Sequence, residues 1–242
     1  ETYNELPPPF DAQVDAAACV DNERRHLVLF SDGQVLTYSA WIYAHHGRRV
    51  IEAPCSTKDH PIFGELPAPF DTKIEAACCV NSRRMHFLLF SRGQVMVYNA
   101  AKRTKRSRII EVPRATQGDR VFGDLPEPFA SNISAAVCVH EGSRRLILFS
   151  SGQMMKYGAT TRQREARVIK SPRPTKRDPV YQELPRPFSA NIDAAVCLNP
   201  NSRHFVLFSD GQVMQFCSWS YKQAGERVVE RPIPTAHIVG AV

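Results

Sequence analysis

The sequence predicts an all-β chain folded as a four-bladed β-propeller, with four antiparallel strands in each blade. Three observations predict it. One unit of about sixty residues occurs four times, each unit holds four short apolar runs, and the first run of each is made of small residues.

The repeat keeps its anchors in register. Asp15-Ala16-Ala17-Ala18-Cys19 returns as Glu75-Ala76-Ala77-Cys78-Cys79, Ser134-Ala135-Ala136-Val137-Cys138 and Asp193-Ala194-Ala195-Val196-Cys197, at spacings of 60, 59 and 59 residues. Phe10, Phe70, Phe129 and Phe188 keep the same offsets, as do Phe30, Phe90, Phe149 and Phe208. The expectation is one closed domain over 1–242, with blades at about 11–55, 71–114, 130–173 and 189–234.

Each unit opens on a proline-rich connector. Glu5-Leu6-Pro7-Pro8-Pro9-Phe10 has counterparts at Glu65 to Phe70, Asp124 to Phe129 and Glu183 to Phe188. Prolines this dense forbid a helix or a central strand, so the segment links blades while its Leu and Phe plug into the core. The first strand follows, roughly Val14 to Val20, and its small side chains suit a place where backbones crowd. The second, His26 to Phe30 and its counterparts, is continuously apolar, as expected of a strand covered on both faces by neighbouring sheets.

A tight hairpin comes next, at Ser31-Asp32-Gly33, Ser91-Arg92-Gly93, Ser150-Ser151-Gly152 and Ser209-Asp210-Gly211, where Gly supplies a positive φ. The third strand runs from Gln34 to Tyr38, Gln94 to Tyr98, Gln153 to Tyr157 and Gln212 to Phe216. The fourth starts at Arg49, Arg108, Arg167 and Arg227 and is expected to close at Pro54, Pro113, Pro172 and Pro232.

Asp-Ala-Ala opening the first strand, together with a Phe-Ser-x-Gly-Gln segment joining the second and third, resembles the hemopexin repeat. The longer unit and the loop before Arg-Val-Ile look most like the albumin-2 type seed proteins of that family. The Tyr-Trp pair common in third strands of the family is absent, and no cysteines sit at the two chain ends to lock the last blade to the first. Heme transport is therefore not implied.

The resemblance implies a narrow channel lined by the first strands, in which main-chain carbonyls hold a cation, Ca²⁺ or Na⁺, with a Cl⁻ deeper in some members. Carried over by position, the carbonyls are those of Asp15, Glu75, Ser134 and Asp193, with a second ring at Ala17, Ala77, Ala136 and Ala195. Hard cations prefer oxygen ligands, and four converging backbones supply a ring of them.

Seven cysteines are an odd count, and four of them fall at one repeat position, which is unlike a disulfide framework and points to free thiols in a reducing, cytosolic compartment. Side chains of inner strands point between blades, which keeps the repeated thiols Cys19, Cys79, Cys138 and Cys197 too far apart to share a zinc ion and leaves them as packing groups. His26, His86 and His204 share one position off the axis and cannot converge on a metal.

The net charge is +7 with a pI near 9.2, which favours anionic partners. In an up-and-down blade the loops after strands one and three emerge on one face. The first kind carries Arg24, Arg25, Arg83, Arg84, Arg144, Arg145 and Arg203. The second carries Arg48, Arg49, Lys102, Arg103, Lys105, Arg106, Arg108, Arg162, Arg164, Arg167, Lys222 and Arg227, with Trp41, Tyr43, Trp219 and Tyr221 among them. Asp32, Asp210 and the connector acids Glu5, Glu65 and Asp124 are expected on the opposite face.

No catalytic motif occurs, whether a Gly-rich phosphate loop, a zinc-protease helix or a nucleophile elbow, and near-equivalent units suit multivalent binding rather than one active site. No apolar run reaches the eighteen or so residues of a membrane span. The sequence thus points to a non-enzymatic, multivalent carbohydrate-binding protein of the lectin kind, with oligomerisation left open. The alternatives are a storage or stress protein taking small ligands such as a polyamine or heme, and a basic scaffold for nucleic acid or acidic proteins.

Overall fold

The computed structural model describes residues 6–21, 26–40, 49–101, 107–159, 167–199, 203–218 and 225–236. These form four antiparallel sheets, each pairing its strands in chain order. Blade one holds β1 (Ala16–Asp21), β2 (His26–Ser31), β3 (Gln34–Ser39) and β4 (Val50–Ser56). Blade two holds β5 (Ala76–Asn81), β6 (His86–Ser91), β7 (Gln94–Asn99) and β8 (Ile109–Ala115). Blade three holds β9 (Ala135–His140), β10 (Arg145–Ser150), β11 (Gln153–Gly158) and β12 (Val168–Pro174). Blade four holds β13 (Ala194–Asn199), β14 (His204–Ser209), β15 (Gln212–Cys217) and β16 (Val228–Pro234).

The innermost strands β1, β5, β9 and β13 contact their neighbours around the ring, which closes the propeller about an axis. Alanines at the start of each strand make that approach sterically feasible, and Ala16, Ala76, Ala135 and Ala194 are all buried. The hairpins between second and third strands place both central residues at positive φ, Asp32 with Gly33 and Asp210 with Gly211 among them, as a type I′ turn requires.

The outermost strands differ from expectation at their ends. Pro54, Pro113, Pro172 and Pro232 lie inside β4, β8, β12 and β16 rather than closing them. These are edge strands, where a missing N–H costs no ladder bond. The pairing also slips between Val35 and Thr37 and again between Thr37 and Tyr38, so β4 bulges twice against β3, and the other blades repeat the pattern. Proline and bulges together blunt an edge that would otherwise template pairing with another chain.

The core is divided into four clusters, each filling the space between two adjacent blades. The connectors build it. After β4 the chain climbs between blades one and two and inserts Phe63, whose ring meets Phe30 edge-on at 5.1 Å and stacks on Tyr98 at 5.9 Å. Phe122 does the same between Phe90 and Tyr157, and Tyr181 between Phe149 and Phe216. The hydroxyl belongs to the third-strand ring in two of these pairs and to the connector ring in the last. Tyr98 and Tyr157 donate to the connector carbonyls of Ile62 and Val121 at 2.6 and 2.5 Å. Each connector then returns to the hairpin end, burying Leu66 and Phe70 or their counterparts.

Ring closure uses a threonine. Thr57, Thr116, Thr175 and Thr235 follow the fourth strands, are buried, and donate their Oγ1 to the hairpin carbonyls of Gly33, Gly93, Gly152 and Gly211 at 2.8 to 2.9 Å. The Thr235 hydroxyl is also within bonding distance of the Asp11 carbonyl, which ties the end of blade four to the connector entering blade one. Thr235→Val is expected to cost about 1–2 kcal/mol by stranding buried acceptors. Hydrogen exchange should then locate the loss of protection at β1 and β13, whereas Thr116→Val should cost the same without that local fraying. Equal protection in both variants would show that Thr235 does not latch the ring.

Candidate functional site

The first strands enclose a narrow axial channel of about 20 Å³, lined by Ala17, Ala77, Ala136 and Ala195 with the residues that follow each. That volume is close to the roughly 10–15 Å³ needed for one water-sized occupant. The four alanines of the second expected ring are thus among the residues that line the channel. Asp15, Glu75, Ser134 and Asp193 sit one residue before the first strands, at the hairpin end.

Their side chains hold the hairpins. The carboxylates of Asp15, Glu75 and Asp193 accept from the amides of Asp32, Arg92 and Asp210 at 2.9, 2.7 and 2.8 Å. Ser134 instead donates to the Ile192 carbonyl at 2.8 Å, binding blade three to blade four. Burial raises the Asp193 carboxyl above the usual aspartate range against the pull of the Asp210 amide and Asn191, and the nearby Asp210 and Asp15 charges add to the rise. Lys73 approaches the Asp15 carboxylate at 3.9 Å.

No disulfide joins any of the seven cysteines. Cys19, Cys79, Cys138 and Cys197 edge the channel, and each also packs in a different inter-blade core. Burial, more than the nearby Glu141 carboxylate, pushes the Cys138 thiol up to about 12 and raises Cys79 further. Protonated thiols are poor ligands and nucleophiles, and no group of three His, Cys, Asp or Glu among the described residues is placed to hold a metal.

On the face of the long loops, Arg83, Arg84 and Arg145 are exposed and Arg144 and Arg203 are half-buried. Arg24, Arg25, Trp41, Tyr43, Trp219 and Tyr221 lie outside the described residues, as do Arg48, Lys102, Arg103, Lys105, Arg106, Arg162, Arg164 and Lys222.

The arginines that begin the fourth strands do not join this face. Arg49, Arg108 and Arg227 are buried. Arg108 donates to the Ala101 carbonyl at 2.8 Å and lies 3.5 Å from Glu65, Arg167 meets Asp124 at 3.2 Å, and Arg227 pairs with Glu183. Glu65 and Asp124 are therefore not on the hairpin face. The connectors carry them up the inter-blade grooves to the far end, where they neutralise the arginines.

Those grooves are a feature that position in a loop did not reveal. The one between blades one and two has a volume of about 480 Å³, and the one between blades two and three about 610 Å³. In each, one connector residue accepts from two amides of its own turn. His60 Nδ1 accepts from Ile62 and Phe63 at 3.1 and 3.3 Å, so its proton sits on Nε2, facing Glu52 at 3.6 Å. Asp119 takes that role from Val121 and Phe122, both at 2.8 Å, and pairs with Arg114. Asp178 accepts from one such amide, Val180 at 2.9 Å, and pairs with Lys170 at 2.6 Å. In blades one and three the partner stands at the same repeat position, Glu52 beside His60 and Lys170 beside Asp178, whereas blade two keeps Glu111 there and pairs Asp119 with Arg114 from three residues further on.

These features define a four-bladed β-propeller with a narrow axial channel and polar grooves between blades. No protein-family model matches the sequence, and no curated protein matches it. Among solved structures, a plant albumin from Cicer arietinum showing hemagglutination superposes with a TM-score of 0.74 at 13% identity, over 92% of this chain and 93% of that one. A plant lectin with two metal binding sites, also from Cicer arietinum, gives 0.74 at 14% identity over the same shares. A hemopexin fold protein from cow pea gives 0.73 at 14% identity, again over 92% and 93%. The chain adopts the hemopexin fold in the form these plant proteins take.

Proposed function

We propose that this chain is a non-enzymatic, multivalent binding protein of the lectin kind, with a cation, Ca²⁺ or Na⁺, in its axial channel. The observation that carries the proposal is the end-to-end likeness of the fold to a hemagglutinating albumin and to a lectin with two metal binding sites. Four near-equivalent blades offer repeated weak sites, and avidity from such repetition needs no strong single contact. Arg83, Arg84, Arg144, Arg145 and Arg203 present a basic rim to an anionic ligand or glycan, and the tryptophan and tyrosine pairs of the long loops supply rings able to stack on sugars.

A glycan array probed at low and at high salt tests the first half. Binding of a defined sugar set that persists at high salt is expected, and an array blank at both salts would sink the lectin assignment. For the second half, Ca²⁺ at a hundredfold excess over its Kd should stabilise the protein by about 2.7 kcal/mol. Asp193→Asn should leave the metal-free protein at least as stable, because the raised carboxyl is a charge held at a cost, and should shrink the gain from Ca²⁺. A melting curve indifferent to Ca²⁺, Na⁺ and chelator would remove the channel cation.

A further inference from the structure

The four blades agree at most positions, so a place where one blade breaks the pattern with charge is informative. At the cross-strand pair between third and fourth strands, blade one has Thr37 opposite Glu52, blade two Val97 opposite Glu111, and blade four Gln215 opposite Glu230. Blade three has Lys156 opposite Lys170. Like charges directly opposite on antiparallel strands are destabilising, and here two positive charges stand where each other blade has a neutral residue and an acid.

The surroundings do not cancel them. The pair faces the groove between blades three and four, where the connector brings Asp178 and the loop entering β14 brings Arg203. Arg173, paired with Met154 one step along β12, adds a third cation from the same sheet. Asp178 is fully buried, pairs with Lys170, and is committed through its other oxygen to the Val180 amide. Lys156 has no hydrogen-bond acceptor among the described residues, and the Arg173 Nε is buried without a hydrogen-bond partner. Burial lowers the Lys156 ammonium, and Lys170, Arg203 and Arg173 lower it further against the opposing pull of Asp178. Lys156, Lys170 and Arg173 thus share one carboxylate that is already engaged.

We propose that the groove between blades three and four is an oxyanion site, taking a phosphate or sulfate group between the ammonium groups of Lys156 and Lys170 and the guanidinium of Arg173. A tetrahedral oxyanion supplies several acceptors at once, and charge-assisted bonds to it are the strong kind. The half-buried setting protects those bonds from screening more than the exposed rim of the loop face does. The site does not rest on the lectin proposal, since it lies in an inter-blade groove and would take the same group free or on a sugar.

The repeat provides the test variant. Lys156→Val with Lys170→Glu writes the blade-two set, Val97, Glu111, Arg114 and Asp119, onto blade three, where Arg173 and Asp178 already stand, so the fold has a native precedent. Sodium phosphate and sodium sulfate are titrated calorimetrically into both proteins against sodium chloride of equal ionic strength, alongside a sulfated disaccharide and its unsulfated parent. The wild-type protein is expected to bind phosphate or sulfate beyond the chloride control, with affinity falling at least about tenfold in the variant. A sulfated disaccharide that binds more tightly than sulfate, and is lost in the variant, identifies a sugar-borne group. Tighter inorganic phosphate identifies the free ion. Equal binding to both proteins would assign the effect to the overall positive charge and overturn the site, as would no binding to the wild type. Should the double variant fail to fold, Lys156→Gln, the blade-four residue, gives the same comparison.

Discussion

Truncating Phe63 to Ala is expected to cost about 3–5 kcal/mol, the largest loss from any single side chain in the connectors. Phe63 is 1% exposed and sits among Phe30, Phe87, Tyr98 and His60. Its removal deletes contacts in two blades together, because the ring comes from neither. Phe122→Ala should cost less, since that ring has two aromatic neighbours, Phe90 and Tyr157, where Phe63 has four. Phe63→Leu keeps most of the volume and should cost under about 1.5 kcal/mol. Denaturant midpoints at constant slope measure all three. A Phe63→Ala loss below that of Phe63→Leu would mean that the connector ring is a lid on the core and not part of it.

The order of those losses rests on features of unequal visibility in the sequence. Phe10, Phe70, Phe129 and Phe188 declare the connector because proline surrounds them at a fixed offset, and the strands declare themselves because apolar runs recur between turn signals. Local chemistry dictates both. Hairpins with Gly33 and its counterparts belong to the same class, since a backbone with positive φ leaves few residue choices.

Burial of charge is a different matter. Arg108 and Arg227 carry the same letter as Arg83 and Arg84, yet the first two are buried against Glu65 and Glu183 and the last two are exposed. What separates them is the path of a connector some forty residues upstream in the chain, which sets Glu65 against Arg108 Nε and Glu183 against Arg227 Nη1, and no local pattern encodes that path. A loop position alone therefore overstated the basic face and misplaced the connector acids. The same limit hid the cationic pair of blade three, because the register that sets Lys156 opposite Lys170 is shifted by a bulge on each side of the pair. The channel lies between these extremes. Repeated alanines revealed the wall, but that Asp15 and Asp193 spend their side chains on hairpin amides emerged only from the fold.

Asp119→Ala is expected to cost about 3 kcal/mol, because it leaves two turn amides without an acceptor and a guanidinium short of a partner. The Asp119 side chain is 4% exposed, takes the amides of Val121 and Phe122, and pairs with Arg114, which Glu111 also holds at 2.7 Å. Burial alone would raise its carboxyl, but the Phe122 and Val121 amides and then Arg114 outweigh burial and hold it below the usual aspartate range. In the window between that depressed value and the unfolded value of about 3.9, the unfolded chain binds more protons, so stability rises with pH. Its contribution is complete above the unfolded value and is lost as the pH falls through the folded one. The gap between wild type and Asp119→Ala should therefore be widest near neutrality and narrow under acid. Asp119→Asn, which keeps one acceptor oxygen and no charge, should fall between them with a weaker pH dependence. Unfolding followed from pH 7 down to pH 3 decides the matter: a gap that stays constant across that range would mean that the clip holds its turn by shape and not by charge.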